Sequence, residues 1–207
     1  MNCAQTAAKR FANLPAESGI LEVKFKYIGG RLMSLVYLRH ATKVDVPAIM
    51  AIIADAKALL KADGSPQWQD GYPDEAAIRR DIMAQQSWVL MVDNRIAGTA
   101  AQVVGDDANY HEITGAGWQN NQEPYATIHR IALSKDFAGQ HLSHYFFSNL
   151  ISTAYQAGIR NFRIDTHQMN QRMQAIALSL GYQFRGIVHV AEPGDNARRA
   201  YELNLAE

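Results

Sequence analysis

The stretch from Tyr125 to Ser143 constrains the chain most. It reads Tyr-Ala-Thr-Ile-His-Arg-Ile-Ala-Leu, then Ser-Lys-Asp-Phe-Ala-Gly-Gln-His, then Leu-Ser and an amphipathic run. An apolar β-branched segment, a short polar turn and a helix start form a strand–turn–helix unit. The first amides of a helix have no intrahelical acceptor, and the helix dipole favours negative charge beside them. Such a turn suits a phosphate-bearing ligand held at the end of a strand.

The chain has 207 residues, enough to bury a sizeable core in one domain. Twenty basic and twenty acidic residues cancel, which argues against a dedicated nucleic-acid binder. No apolar run reaches the length that spans a bilayer, so no membrane partner is expected. Cys3 is the single cysteine, which forbids an internal disulfide and suits a reducing cytoplasm. Residues 1–34 carry Pro15, Gly19, Gly29 and Gly30 without a sustained period, and read as a poorly ordered extension before a domain over 35–207. Met33 precedes a clean strand, so the natural chain is expected to start there.

Val36–Arg39 reads as a first strand, and Ile49, Ile52, Ile53, Ala56, Leu59 and Leu60 recur at helical spacing behind Thr42 or Asp45 as caps. A loop with Trp68, Gly71 and Tyr72 leads to a second helix opened by Asp74 and Glu75. Trp88–Val92 and Arg95–Val104 form a hairpin across Asp93-Asn94. A long link, roughly 105–123, precedes the strand–turn–helix unit. Phe162–Asp165 is a strand, Asn170–Leu180 a helix closed by Gly181, and Tyr182–Val190 with Arg199–Asn204 a final strand pair. The order β, α, α, β, β, β, α, β, α, β, β predicts an α/β mixed sheet with helices on its faces.

With that element order, three sets of residues resemble the GNAT superfamily of acetyl-CoA-dependent N-acetyltransferases over about residues 36–205. Ile131-Ala-Leu133 followed by Ala138-Gly-Gln-His-Leu-Ser143 occupies the family's pyrophosphate loop, and Asn170 with Gly181-Tyr182 looks like its Asn…Gly-Phe block. Trp68 with Gly71-Tyr72-Pro73, His129-Arg130 and Asp165-Thr-His167 look like a poorly characterised bacterial branch. The resemblance implies a mostly antiparallel central sheet, splayed between its fourth and fifth strands. It implies acetyl-CoA as co-substrate, held by Ile131, Ala132, Leu133, Ala138, Gly139, Gln140, His141, Leu142, Ser143 and Asn170. Two departures stand out. Only Gly139 remains of the loop's usual glycines, and Ala177 occupies the place where members often carry a tyrosine that protonates the departing thiolate.

Acyl transfer to an alkylamine needs a base, because such amines are protonated near neutrality. His129 is the first candidate, since period-2 alternation puts it on one face with Leu133; Glu123, Asp165 and His167 are its rivals. Tyr145, Ser143 or Ser179 would replace the missing acid, and a backbone amide near Ile131 or Ala132 would stabilise the oxyanion. Trp68, Tyr72, Trp118, Asp165 and His167 are candidates for the acceptor pocket. His141 and His144 supply at most half a zinc shell, so no metal is expected. The expected activity is acetyl transfer from acetyl-CoA to a small-molecule or peptide amine, by direct attack in a ternary complex, in a monomer or homodimer. The alternative is a slow or non-catalytic acyl-CoA-binding sensor or assembly module.

Overall fold

The computed structural model describes residues 34–191 and 194–206. The expected extension and the Met33 start, like Cys3, concern residues outside this range. Eight strands form one sheet: β1 Val36–His40, β2 Ser87–Val92, β3 Arg95–Val104, β4 Thr114–Gly115, β5 Tyr125–Leu133, β6 Asn161–Thr166, β7 Gln183–His189 and β8 Ala197–Asn204. Their spatial order is β1-β2-β3-β5-β6-β8-β7-β4. Every pairing is antiparallel except β5 with β6. The two-residue β4 lies within the long link and was not foreseen. It pairs with β7 at Gly186, where an added Cβ would stand 2.2 Å from the Thr114 carbonyl oxygen, so only glycine fits.

Helices cover both faces. On one side lie α1, Val46–Ala62, and α2, Glu75–Met83. The 3.6-residue period of Val46, Ile49, Ile52 and Ile53 turns them toward Val89, Met91 and Ala132 of the sheet, while Leu59 stays exposed. Asp74 starts α2 by accepting the Ala77 amide at 2.8 Å. On the other side, α3, Leu142–Gln156, buries Phe146, Phe147 and Leu150 against Leu90, Ile128 and Phe162. Each such side chain contributes about 1.5–3 kcal/mol by leaving water. Gly158, at a left-handed φ of 91°, ends α3 while Ile159 returns its amide to the Ala154 carbonyl. The fourth helix, α4 (Gln171–Ser179), is capped by Asn170 and packs on the same face through Ala177.

Two irregularities of β5 position everything that follows. First, β5 and β6 pair only at Tyr125–Asn161, Ala126–Phe162 and Thr127–Arg163, and then diverge. These are the fourth and fifth strands of the sequence reading, renumbered because β4 intervenes. Second, Arg130 and Ile131 together face one residue of β3, since His129 pairs Ala101 and Ala132 pairs Thr99. This is a β-bulge, and Arg130 adopts a left-handed φ of 53° within it.

Candidate active site

The bulge resets side-chain alternation. Ala126 and Ile128 pack toward α3 before it, and Ile131 and Leu133 do so after it. His129 lies with Tyr125 on the other face, against the Tyr110 ring. His129 and Leu133 are therefore on opposite faces, contrary to the period-2 expectation. The bulge also fixes which backbone groups are open. The Tyr125 carbonyl accepts from Gly105 N–H, and Ser134 N–H donates to the Ala97 carbonyl, both on β3's side. By the alternation of an antiparallel ladder, Ala132 points its amide at Thr99, whereas Ile131 and Leu133 point theirs into the gap beside β6.

A cavity of about 1070 Å³ follows this gap. At one end it touches Ala138 and Ser143 at the start of α3. The turn there spends two expected amides internally: Ala138 N–H bonds the Lys135 carbonyl at 3.1 Å, and Gln140 N–H the Phe137 carbonyl at 3.4 Å. The amides of Gly139, His141, Leu142 and Ser143 have no protein acceptor among the described residues. Gly139 and His141 both take left-handed φ values, 77° and 56°, which turn these amides outward. No heavy atom lies within 4 Å of a Cβ built on Gly139, so its need for glycine is conformational. The donor set suits a diphosphate: four amides at a helix start without a protein acceptor among the described residues, with open space beside Gly139.

At the other end the cavity is lined by Trp68, Asp70, Tyr72, Asp107, His129, Arg130 and Asp165. His129 Nε2 is 3.1 Å from a carboxylate oxygen of Asp107, a residue of the link that the sequence reading passed over. The His129 hydrogen bond, helped by the Asn109 amide, holds the Asp107 carboxyl below the usual carboxylate range against the opposing effect of burial. Asp165 accepts the Tyr110 hydroxyl at 2.6 Å, and burial, reinforced by Asp165, pushes the Tyr110 phenol well up, so it remains a donor. Arg130 spans Asp81 with two bonds of 2.8 and 2.9 Å and gives a third, at 2.5 Å, to the Tyr72 hydroxyl. Lys57 secures the loop carrying Tyr72 by donating to the Gly71 and Pro73 carbonyls. Gln67 ties the same loop across the gap, its Oε1 accepting from Thr166 Oγ1, the His167 amide and Asn170 Nδ2.

Several expected site residues lie elsewhere. Glu123 is at the start of β5, outside the cavity, where Asn161 and Asn120 hold its carboxyl below the usual range and the link in place. Tyr145 projects from α3 into solvent. Trp118 stacks on the Arg163 guanidinium at 4.2 Å and donates to the Tyr110 carbonyl, as a packing residue under the link. His167 is buried: Nδ1 accepts the Met169 amide at 3.1 Å, which assigns the proton to Nε2, facing Asp195 at 3.0 Å. Gln140 and His141 keep exposed side chains, while Leu142 packs into the core and offers this turn only its main chain. Ala177 is wholly buried, and Ser179 bonds His144 at 2.8 Å on the surface. No group of three metal-ligating side chains occurs among the described residues, and no helix among them is long and apolar enough to cross a membrane.

Residues 53–182 match the model of the acetyltransferase (GNAT) family. An acetyltransferase of this family from Streptococcus agalactiae is similar over 83% of this chain and 96% of its own, with 35% identity and a TM-score of 0.74. The acetyltransferase of Salmonella typhimurium that modifies the N-terminal serine of ribosomal protein L7/L12 shares the fold at 21% identity, covering 83% of this chain and 95% of its own, with a TM-score of 0.60. So does yncA of Salmonella typhimurium, solved with its cofactor acetyl-CoA, at 16% identity over 83% of this chain and 95% of its own, with a TM-score of 0.58. No curated protein matches the chain in a sequence comparison. The chain belongs to the acetyltransferase (GNAT) family.

Proposed function

We propose that this chain transfers the acetyl group of acetyl-CoA to a primary amine by direct attack in a ternary complex. One observation carries the reading. A single cavity joins Ser143 at the start of α3, the strand edge at Ile131 and Leu133, and the His129–Asp107 pair. Diphosphate, pantetheine and acceptor amine each have a matching region along that line. The pantetheine arm would lie against β5 as an extra strand lies on a sheet edge. The Ile131 amide faces the thioester carbonyl in this arrangement and would stabilise its developing charge.

The acceptor reaches the cavity as an ammonium ion. Asp70, Asp107 and Asp165 favour that charge, and His129 takes the proton before attack. Asp107 orients the ring. Small amines, antibiotic-like amines, amino acids and protein N-termini remain in scope; the L7/L12-modifying relative supports the last class. A single cysteine fits a cytoplasmic setting.

A second reading, acyl-CoA binding without fast turnover, is favoured by Ala177, a buried methyl group at the position where members of the family often carry a tyrosine. Incubation with acetyl-CoA and an amine panel, following thiol release, separates the two. Acceptor-dependent release at least tenfold above hydrolysis supports transfer. Tight CoA binding in calorimetry with no release from any amine supports the second reading.

A further inference from the structure

The loop between α1 and α2 is tied on two sides. Downstream of Trp68 its ties run to α1: Lys57 donates to the Gly71 and Pro73 carbonyls, and Gln69 Nε2 donates to the Lys57 carbonyl at 3.1 Å. Upstream of Trp68 the tie crosses the gap. Gln67 Oε1 accepts from Thr166 Oγ1 at 3.3 Å, the His167 amide at 3.3 Å and Asn170 Nδ2 at 3.4 Å. Thr166 ends β6 and Asn170 caps α4, so one side-chain oxygen fastens the loop to the β6 side of the gap. The partners settle which end of the Gln67 amide faces them. His167 N–H can only donate, and Asn170 accepts the Met173 amide through Oδ1, which leaves its NH2 facing Gln67.

The tie holds a turn that its own sequence disfavours. Gln69 N–H closes a four-residue turn on the Pro66 carbonyl at 3.1 Å, and Trp68, its third residue, has a left-handed φ of 68°. Glycine or asparagine normally takes such a place, and a bulky side chain there is strained. Strain of this kind persists only where surrounding contacts over-determine the backbone. The indole so placed is half-buried against the core between α1 and the sheet, and it lines two cavities. One is the large cavity that reaches His129. The other, of about 270 Å³, is bounded also by Pro66, Gln69, Asp70 and Asp195.

We propose that Gln67 is a positioning residue: its bridge across the gap holds the Trp68 turn in its left-handed form, and the indole so placed limits the size of acceptor that reaches His129. The bridge stands on geometry alone, whereas the acceptor rests on the transfer reading above. Every partner of Gln67 Oε1 is a donor. Glutamate can therefore serve at position 67, and methionine, of similar length but only a weak acceptor, cannot.

Two measurements on the full chain test it. The first needs no ligand. Fluorotryptophan labelling gives one fluorine resonance for each of the three tryptophans, and that of Trp68 is the one lost in Trp68→Phe. Gln67→Met is expected to shift or broaden the Trp68 resonance and to leave those of Trp88 and Trp118 in place. Gln67→Glu is expected to keep all three. A Trp68 resonance unmoved in Gln67→Met, or moved as far in Gln67→Glu, would overturn the proposal. The second compares ethylamine with naphthylmethylamine as acceptors, through the ratio of their kcat/KM values. Each amine carries one charge, so the ratio cancels the effect of the carboxylate that Gln67→Glu adds. It should move about fivefold or more toward the bulky amine in Gln67→Met, through KM rather than kcat, and keep its wild-type value in Gln67→Glu. An unchanged ratio in Gln67→Met would overturn the size limit. A wild-type protein that releases no thiol with either amine would refute the transfer reading and the size limit that rests on it, and the fluorine spectra would still decide the bridge.

Discussion

Asp107 and His129 meet at 3.1 Å, although Asp107 lies in an irregular link and His129 in the middle of a strand. The meeting is arranged from two sides. Asp107 accepts the amide and side chain of Asn109, which folds the link back on itself, and the bulge after His129 leaves that ring facing Tyr110. Asp107→Asn should preserve the fold and lower kcat by about tenfold or more. His129→Ala should lower kcat further and leave CoA affinity near wild type. Wild-type kcat in both variants would remove His129 from the mechanism.

Gly139→Asp tests the other end of the cavity. The left-handed φ of 77° costs a substituted residue about 1–2 kcal/mol, less for aspartate than for most, so the fold should survive. The new carboxylate would stand among amides assigned to a diphosphate. CoA affinity should fall at least tenfold in calorimetry, with Tm lowered by only a few degrees. Unaltered affinity would place the diphosphate elsewhere.

Acid stability should depend on Asp45. Arg39 bonds both its carboxylate oxygens, at 2.7 and 2.8 Å, and with the Thr42 amide and hydroxyl it draws the carboxyl down from 3.8 to about 2. A depressed carboxyl stabilises the fold above its unfolded range and loses that contribution as pH falls through its folded value. The window is therefore from about pH 4 down to about pH 2. The amount is about 1–2 kcal/mol once water around the half-exposed Arg39 is allowed for. Asp45→Asn should be less stable at neutral pH and show a flatter decline across that window in urea titrations.

Glu202 should matter to folding rather than to chemistry. Its buried carboxylate accepts the Gln119 amide at 2.7 Å and the Asn120 amide at 3.3 Å, and faces Arg185 at 3.5 Å and Arg163 at 3.8 Å. Glu202→Ala leaves two guanidinium groups and two amides without it. A loss of about 3–5 kcal/mol is expected in urea unfolding. A loss below 1 kcal/mol would show that water replaces the carboxylate.

Periodicity made most of the fold legible. The spacing of Ile49, Ile52 and Ile53, the Asp93-Asn94 turn and the glycines 158 and 181 mark element type and ends without reference to tertiary contacts. The site was harder to read, for physical reasons. The bulge rests on Arg130, a residue with no turn preference, held left-handed by Asp81 of a distant helix. Nothing in Ile-His-Arg-Ile signals it, so the expectation that His129 and Leu133 share a face was inverted. Trp118 looked like a pocket wall because aromatics in loops often are; its real partner, Arg163, is forty-five residues later in sequence. Asp107 carried no local pattern, since its place depends on a link anchored through the β4–β7 contact at Gly186.

In hydrogen-bond terms, a sheet whose two halves share three residue pairs is a pair of ribbons stitched at one end. Deuterium should enter first along the unstitched border, at the Ile131 and Leu133 amides, while Ala126 waits for the whole molecule to open. A guest molecule lying along that border would act as the missing thread and slow the first two toward the pace of the third.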